Sequence, residues 1–270
     1  MRILAIDLGK SNSVACDFAS AASEAKFFGI QTTAADLRAL LDKARPERVV
    51  IEICNQAGWV GDEVRAAGIE LQVANTNGSA WQWRNVKRKT DRDDALKLAQ
   101  LSALNQLSLV HLPEQSVRQW RSLIAYRQTL VNRRTAVKNR IRSILDAQAL
   151  RMPAGKSGWT SKRVQALHQL ALAIEDCPSD EFWRGQLFEE LEHLERLESS
   201  LKRVTAALDK HGAQDDRVRR LQTIPGVGKR LSEMVVATID SPHRFSSGKQ
   251  VGAYAGLVPK QFQSGMMERH

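Results

Sequence analysis

The hydrophobic positions of the first hundred residues alternate between the periods of strands and of helices. Apolar runs rich in β-branched residues predict strands in RILAID, SNSVACDFA, EAKFFGIQ, ERVVIEIC and IELQVAN. An N-cap threonine and leucines at helical spacing predict a helix in TTAADLRALLDKA. Similar patterns predict a helix in GWVGDEVRAAG, stopped by Gly68, and another in DRDDALKLAQLSALNQ. Three strands followed by alternating helices and strands are typical of an α/β domain with a mixed sheet, which we place at residues 1–112.

Apolar residues after about Glu114 recur at steps of three, four or seven, which predicts two long helices with heptad-like seams. The first seam comprises Trp120, Leu123, Leu130, Val137, Ile141 and Ile144. The second comprises Leu187, Leu191, Leu194, Leu197, Leu201, Val204 and Leu208. We predict a helical coiled-coil arm over residues 113–212, either antiparallel within the chain or intermolecular. Because each helix alone would expose an apolar stripe, we expect the seams to join protomers in a homo-oligomer, a dimer or a tetramer.

The C-terminal region, residues 213–270, begins with two apolar helical patterns around a Pro-Gly-Val-Gly turn in LQTIPGVGKRLSEMVVATI. This arrangement is typical of a helix-hairpin-helix, whose backbone N–H groups can receive a phosphate. The residues predicted to bind nucleic acid here are Gly226, Gly228, Lys229 and Arg230. A plain helix–helix turn that uses glycine for its permissive backbone explains the pattern equally well.

Charge adds a candidate partner to this outline. The formal net charge is +10 and the pI is about 9.8, which favours a polyanion, nucleic acid before a membrane surface. No apolar run is long enough to span a bilayer, and the N-terminus does not resemble a signal peptide. The cysteines Cys16, Cys54 and Cys177 lack metal-site spacing, so we expect reduced thiols in a cytoplasmic protein, with Cys54 as a small buried hydrophobe.

Two basic stretches are candidate contacts for a nucleic-acid backbone. The first comprises Arg84, Lys87, Arg88, Lys89 and Arg92. The second lies on the first long helix and includes Arg133, Arg134, Lys138 and Arg140. A charge run is usually a solvated face, but so one-sided a run on this helix would repel itself without a polyanion.

Four carboxylates stand where a cation is the simplest partner. Asp7 ends the first predicted strand, and Glu52 lies in the apolar strand VVIEIC, where an unpaired carboxylate would be costly. Asp91 and Asp94, in KTDRDDA, are three residues apart at a helix start and share a face. Helix capping alone explains aspartates at such a position. The alternative is that these four residues bind Mg²⁺ or Mn²⁺ for phosphodiester chemistry.

The chain resembles the DEDD transposases of bacterial insertion sequences, a group that includes Piv-type DNA invertases. The resemblance is carried in order by AIDLGK, VVIEICNQAGW, KTDRDDALKLA, LQTIPGVG and VGAYAGLVPKQFQSG. It implies a RuvC-like domain of the RNase H fold, with Asp7, Glu52, Asp91 and Asp94 as metal ligands. It further implies a coiled-coil arm and a helical transposase domain in which Ser264 attacks DNA. A structured guide RNA from the element is the implied second partner.

The end of the chain departs from this pattern. Family sequences continue after the Ser-Gly with a glycine-rich basic stretch, whereas this sequence reads MMERH. We therefore expect a truncated C-terminal domain that recombines DNA poorly. Two other functions remain open: a RuvC-like structure-specific nuclease, which needs the carboxylates but no serine, and a nucleic-acid-binding remnant without recombinase activity.

Overall fold

The structure is a computed structural model that describes residues 1–75 and 90–258, together with the backbone of 262–264 and 267–269. The chain divides into two compact units, Met1–Arg118 and Gln119–His270. We call them the α/β unit and the helical unit.

The α/β unit is built on a five-stranded mixed sheet. Its strands are β1 (Arg2–Asp7), β2 (Asn12–Ala19), β3 (Glu24–Gln31), β4 (Arg48–Glu52) and β5 (Glu70–Ala74). Their order is β3-β2-β1-β4-β5; β2 is antiparallel to β1 and β3, and β1, β4 and β5 are parallel. This is the strand arrangement of the RNase H-like fold, and the predicted fold class, α/β followed by α, is confirmed.

Three helices cover the two faces of this sheet: α1 (Ala34–Ala44), α2 (Ala57–Ala66) and α3 (Asp91–Ala103). Thr33 starts α1 by accepting a hydrogen bond from the Asp36 backbone N–H, as the sequence predicts. Leu4 and Ile6 of β1 pack on the face covered by α1 and α2. Ile3 and Ala5 pack on the opposite face, against Leu98 and its neighbours on α3. Alternate residues of each strand therefore face different helices.

The helical unit contains most of α4 (Gln115–Asp146), followed by further helices and a short hairpin. These elements are α5 (Ser161–Leu170), α6 (Phe182–Ala213), α7 (Asp216–Leu221), α8 (Lys229–Ile239), α9 (Gly248–Tyr254), β6 (Phe262–Ser264) and β7 (Met267–Arg269). β6 and β7 are antiparallel.

The two predicted seams pack against each other inside one chain. Leu130, Val137 and Ile141 of α4 share a buried cluster with the α6 leucines, of which Leu187 and Leu191 are at most 1% exposed. Arg127 Nε donates to Thr205 Oγ1 at 3.1 Å, and Lys138 Nζ lies 3.0 Å from Glu198 Oε1.

Residue numbers rise along α4 as those of their partners fall along α6, so the pair is antiparallel. The antiparallel alternative is therefore confirmed. The stripes bury one another within the chain, and the homo-oligomer stays a prediction.

Candidate active site

Asp7 and Glu52 end two adjacent parallel strands. In the β1–β4 ladder Ile6 pairs with Ile51, and each strand continues for one more residue, to Asp7 and to Glu52. Neighbouring strands lie about 4.8 Å apart, so the two backbones are close at this edge of the sheet. Both residues are half-buried.

The two side chains emerge on the same face. Ile3, Ala5 and Val50 belong to the cluster that packs against α3. Because side chains alternate along a strand, Asp7 shares the face of Ala5, and Glu52 shares the face of Val50. Both carboxylates therefore belong to the α3 side of the sheet.

The start of α3 explains why acidic residues crowd into KTDRDDA. Thr90 Oγ1 accepts from the Asp93 backbone N–H at 3.3 Å, and Asp93 Oδ2 accepts from the Thr90 backbone N–H at 3.1 Å. Asp93 is thus a capping residue, which confirms the capping explanation for one of the three aspartates. Asp91 is exposed, and Asp94 is 7% exposed against the sheet.

A contact at the far end of α3 shows how this helix runs along the sheet. Arg48 Nη1, at the start of β4, donates to the carbonyl and hydroxyl oxygens of Ser102 at 3.3 Å. Asp94 precedes Ser102 by eight residues, which is about 12 Å along the axis of α3. Glu52 follows Arg48 by four residues, which is about 13 Å along β4. Asp94 therefore lies toward the same end of the sheet as Glu52, the end at which β1 also stops.

These positions supply carboxylate oxygens from three elements, the donors that Mg²⁺ and Mn²⁺ prefer. In the part of the chain that the structure describes, no three His, Cys, Asp or Glu side chains converge closely enough to hold a metal ion. The strand register sets the backbones of Asp7 and Glu52 side by side, and α3 runs so that Asp94 lies toward the same end of the sheet, with Asp91 about one helical turn from Asp94. The donor chemistry thus fits a divalent cation at this edge.

Two cysteines border this edge. Cys16 is fully buried on the α3 face, and burial raises the pKa of its thiol to about 11. Cys54 is exposed rather than buried as expected, because β4 ends at Glu52 and the chain leaves the sheet before Cys54.

The basic stretch before α3 falls largely outside the described residues, which omit Arg84, Lys87, Arg88 and Lys89. Arg92 is exposed at the start of α3, with its guanidinium carbon 5.7 Å from the centre of the Phe27 ring.

The predicted basic residues of α4 divide into two groups. Arg133 and Arg140 are exposed. Lys138 is paired with Glu198 and lies 4.8 Å from the centre of the Trp159 ring. Arg134 lines a cavity of about 520 Å³ between α4 and α6.

The four residues predicted to bind phosphate at the start of α8 have different surroundings. Gly226 has φ +84°, where glycine is favoured, and Gly228 is the N-cap of α8 without a side-chain capping bond. Lys229 Nζ lies 3.8 Å from Asp209 Oδ1, whereas Arg230 contacts both Asp209 and Glu233. Arg230 therefore already has two acidic partners. Ser264 lies in β6, and its side chain is outside the described atoms.

Sequence reasoning missed the Arg48–Ser102 contact. An arginine at the start of a buried strand was the available signal, since Arg48 is only 8% exposed. Within the described ranges, no helix is both long and apolar enough to cross a membrane.

Two family models match the chain. One, described as "Transposase" and representing the DEDD domain of IS110, covers residues 4–149. The other, "Transposase IS116/IS110/IS902 family", covers residues 218–270.

Individual relatives are consistent with these matches. A "Probable family 20 transposase" of Pseudomonas aeruginosa is 28% identical over 88% of this chain and 69% of its own length. The transposase for insertion sequence element IS1111A of Coxiella burnetii is 29% identical over 82% of this chain and 58% of its own. The pilin gene-inverting protein of Moraxella bovis is 26% identical over 67% and 46%, respectively. The chain thus matches only part of the length of each of these relatives.

Among solved structures, that of Thermus thermophilus RuvC aligns over 41% of this chain and 100% of its own, with a TM-score of 0.31 and 15% identity. The fold assignment rests instead on the strand order and the family matches. The predicted resemblance to insertion-sequence transposases and to Piv-type inverting proteins is confirmed. Since the DEDD model alone spans more than half of its residues, the chain belongs to the IS110 family of DEDD transposases.

Proposed function

We propose that this chain cleaves and joins DNA phosphodiesters during the movement of an insertion sequence. Its acidic site comprises Asp7, Glu52, Asp91 and Asp94, and its nucleophile is Ser264. The observation that supports the proposal is the register of β1 and β4, which ends the two adjacent parallel strands at Asp7 and Glu52, on the sheet face that α3 covers. Family membership supports the DNA substrate.

The acidic residues would hold Mg²⁺ or Mn²⁺. When bound, such an ion stabilises the negative charge that develops on phosphodiester oxygens. The chain's own contribution is to keep carboxylates together that would repel one another without a cation. Thr90 and Asp93 support this arrangement by holding the first turn of α3.

The serine step places further demands on the chain. Ser264 Oγ would attack phosphorus, forming a protein–DNA ester while the displaced strand leaves with its oxygen. An unassisted serine hydroxyl is a weak nucleophile, so a neighbouring group must accept its proton. The covalent ester is the species that separates this reaction from simple hydrolysis.

Basic residues supply the binding energy for the nucleic acids. The net charge of +10 and the exposed Arg133 and Arg140 of α4 support contact with a phosphate backbone. We include a structured guide RNA from the element as the second ligand, and we place the reaction in the bacterial cytoplasm, where the element's DNA lies.

A matched pair of variants tests the acidic site. Asp94→Asn should abolish DNA cleavage, whereas Asp93→Asn, one residue away in the capping box, should retain most of it. The measurement is nicking and joining of donor and target DNA with guide RNA and Mg²⁺. Equal losses in both variants would contradict the assignment of Asp94 to the site.

The serine has its own test in the same reaction. Ser264→Ala should remove the covalent protein–DNA adduct while metal binding persists. Free nicked DNA that survives this change would favour the structure-specific nuclease. If the wild-type chain binds nucleic acid but yields neither product, the remnant function is correct.

A further inference from the structure

We propose that Arg48 and Ser102 are positioning residues for the acidic site. Their contact would set the axial position of α3 on the sheet and thereby keep Asp94 level with Glu52. This inference rests on the proposed function, because it assigns these residues a role in holding the carboxylates that bind the cation.

The contact is buried and joins three elements. Ser102 is 0% exposed; its hydroxyl donates to Gln72 Oε1 of β5 at 2.7 Å and accepts from Arg48 Nη1 at 3.3 Å. Arg48 Nε lies 2.9 Å from Glu70 Oε1, an ion pair without hydrogen-bond alignment. The last turn of α3 is therefore tied to both β4 and β5.

The packed face of α3 gives little axial specificity by itself. Of its buried residues beside Asp94, which are Ala95, Leu98, Ala99 and Ser102, only Leu98 is large, while Leu96 and Leu101 pack there partly exposed. Small side chains leave shallow ridges, which tolerate sliding better than interlocked large ones. A polar contact at one end of the helix supplies the register that the apolar face lacks.

Charge adds to this specificity. The last turn of α3 has no basic residue of its own. The Arg48 guanidinium donates to the Ser102 carbonyl oxygen near the negative end of the helix dipole, where a cation is favourable. A buried arginine is expensive compared with an alkyl side chain, so its presence at 8% exposure indicates a role in specifying position.

The helix transmits this position to the other end. α3 runs without a break from Asp91 to Ala103, and its hydrogen-bonded backbone resists compression. A shift at Ser102 therefore reappears at Asp94. Metal binding is sensitive to such shifts, since residues that orient ligands from behind change affinity by about 10- to 100-fold.

The sheet offers a matched control in Arg2 and Asp17. Arg2 Nε and Nη2 contact Asp17 at 2.9 Å and 2.6 Å. Arg2 lies on the same face of the sheet as Leu4 and Ile6, and Asp17 lies on the same face as Ala15. This pair is therefore on the side of the sheet opposite α3. Arg2→Met breaks an ion pair on the same sheet, at Asp17, without changing a residue that contacts that helix.

The experiment titrates Mn²⁺ into the full chain by calorimetry, at a temperature where every variant is folded. Arg48→Met should weaken Mn²⁺ binding by about tenfold, Ser102→Ala by less, and Arg2→Met by less than about twofold. Arg48→Lys, which restores the charge, should recover part of the affinity. If Arg48→Met does not fold, Ser102→Ala carries the comparison with Arg2→Met.

Other outcomes overturn the proposal in distinguishable ways. Wild-type affinity in Arg48→Met and Ser102→Ala would show that the contact does not position the site. An equal loss of Mn²⁺ affinity in Arg2→Met would show that the effect comes from general destabilisation of the sheet. If Asp94→Asn binds Mn²⁺ as the wild type does, the acidic site itself is wrong, and the positioning role is overturned with it.

Discussion

The α/β unit and the helical unit both bury charged side chains, but they do so in different settings. In the helical unit, Glu233 is 1% exposed, and Arg230 Nη1 lies 2.8 Å from its Oε2. Gly212 makes room for this side chain, since a Cβ there would come within 2.7 Å of Glu233 Oε1. In the α/β unit, Asp7 and Glu52 end adjacent parallel strands and are half-buried, and Asp94 of α3 is 7% exposed.

The difference separates a structural carboxylate from candidate catalytic ones. Glu233 is enclosed within a helix pair and has an arginine on its own helix. Asp7 and Glu52 lie at the carboxyl ends of parallel strands, the part of an open α/β sheet where ligands commonly bind. Burial alone therefore identifies neither role. Position relative to the strand ends is the discriminating observation.

The largest effect is expected from breaking the helical unit at its seam. Leu194 is 3% exposed between α4 and α6, so Leu194→Asp should lower the free energy of unfolding by about 4 kcal/mol. The adjacent His193 is exposed, and His193→Asp should change the free energy of unfolding by less than about 0.5 kcal/mol.

Urea unfolding followed by circular dichroism measures both variants. Light scattering on the same samples tests the earlier expectation about protomers. If Leu194→Asp stays as stable as the wild type but dissociates, the seams pair between chains after all.

A smaller effect is expected from the turn beside Asp7. A Cβ at Gly9 would overlap the Asn12 carbonyl oxygen, so Gly9→Ala should destabilise the α/β unit by about 2 kcal/mol. Gly29 on β3 has open space around its Cα, and Gly29→Ala should be neutral or stabilising by up to about 1 kcal/mol.

Thermal unfolding and Mn²⁺ titration are the measurements. Gly9→Ala should also weaken Mn²⁺ binding, because the turn starts two residues after Asp7. Unchanged metal binding in a destabilised Gly9→Ala protein would show that this turn does not support the acidic site.

The smallest effect concerns the pH dependence of the helical unit. Burial raises the pKa of the Glu233 carboxyl above its usual 4.5, against the opposing charge of Arg230. The folded chain then binds this proton more tightly than the unfolded chain. Its stabilising contribution is complete below pH 4.5 and is lost as the pH rises through the raised pKa.

Glu233→Gln should therefore flatten the decline in melting temperature above pH 4.5 and leave Mn²⁺ binding unchanged. Asp215 gives a pH dependence of stability with the opposite sign, because Arg217 lowers the pKa of the Asp215 carboxyl below 3.8. Its contribution is present above pH 3.8 and is lost as the pH falls through the lowered pKa. A Glu233→Gln profile parallel to that of the wild type would contradict the raised pKa.

Much of the fold was predictable because its signals are local. β-branched runs located β1 and β4, and Thr33 marked the start of α1. Gly68, predicted to stop α2, has φ +72° just beyond that helix. The acidic positions were predictable for the same reason, since a carboxylate in or after an apolar strand is visible in sequence.

The remaining features depend on partners distant in the chain. A heptad pattern shows that Leu191 needs an apolar neighbour, but it does not say whether that neighbour belongs to the same chain. Arg48 and Ser102 are 54 residues apart, and no local motif joins them. Cys54 was misplaced because the sequence did not show that β4 ends at Glu52, two residues before it.

The antiparallel hairpin of β2 and β3 has a practical consequence for following this protein in cells. Its turn, with Ala21 and Ala22 exposed, lies beside Met1 and Arg2, because Ser20 N donates to Met1 O and Ala19 pairs with Arg2. The length of β1, roughly 17 Å, separates that end of the sheet from Asp7. A small fluorescent or affinity label inserted between Ala21 and Ala22 would thus lie at the end of the sheet remote from the candidate acidic site.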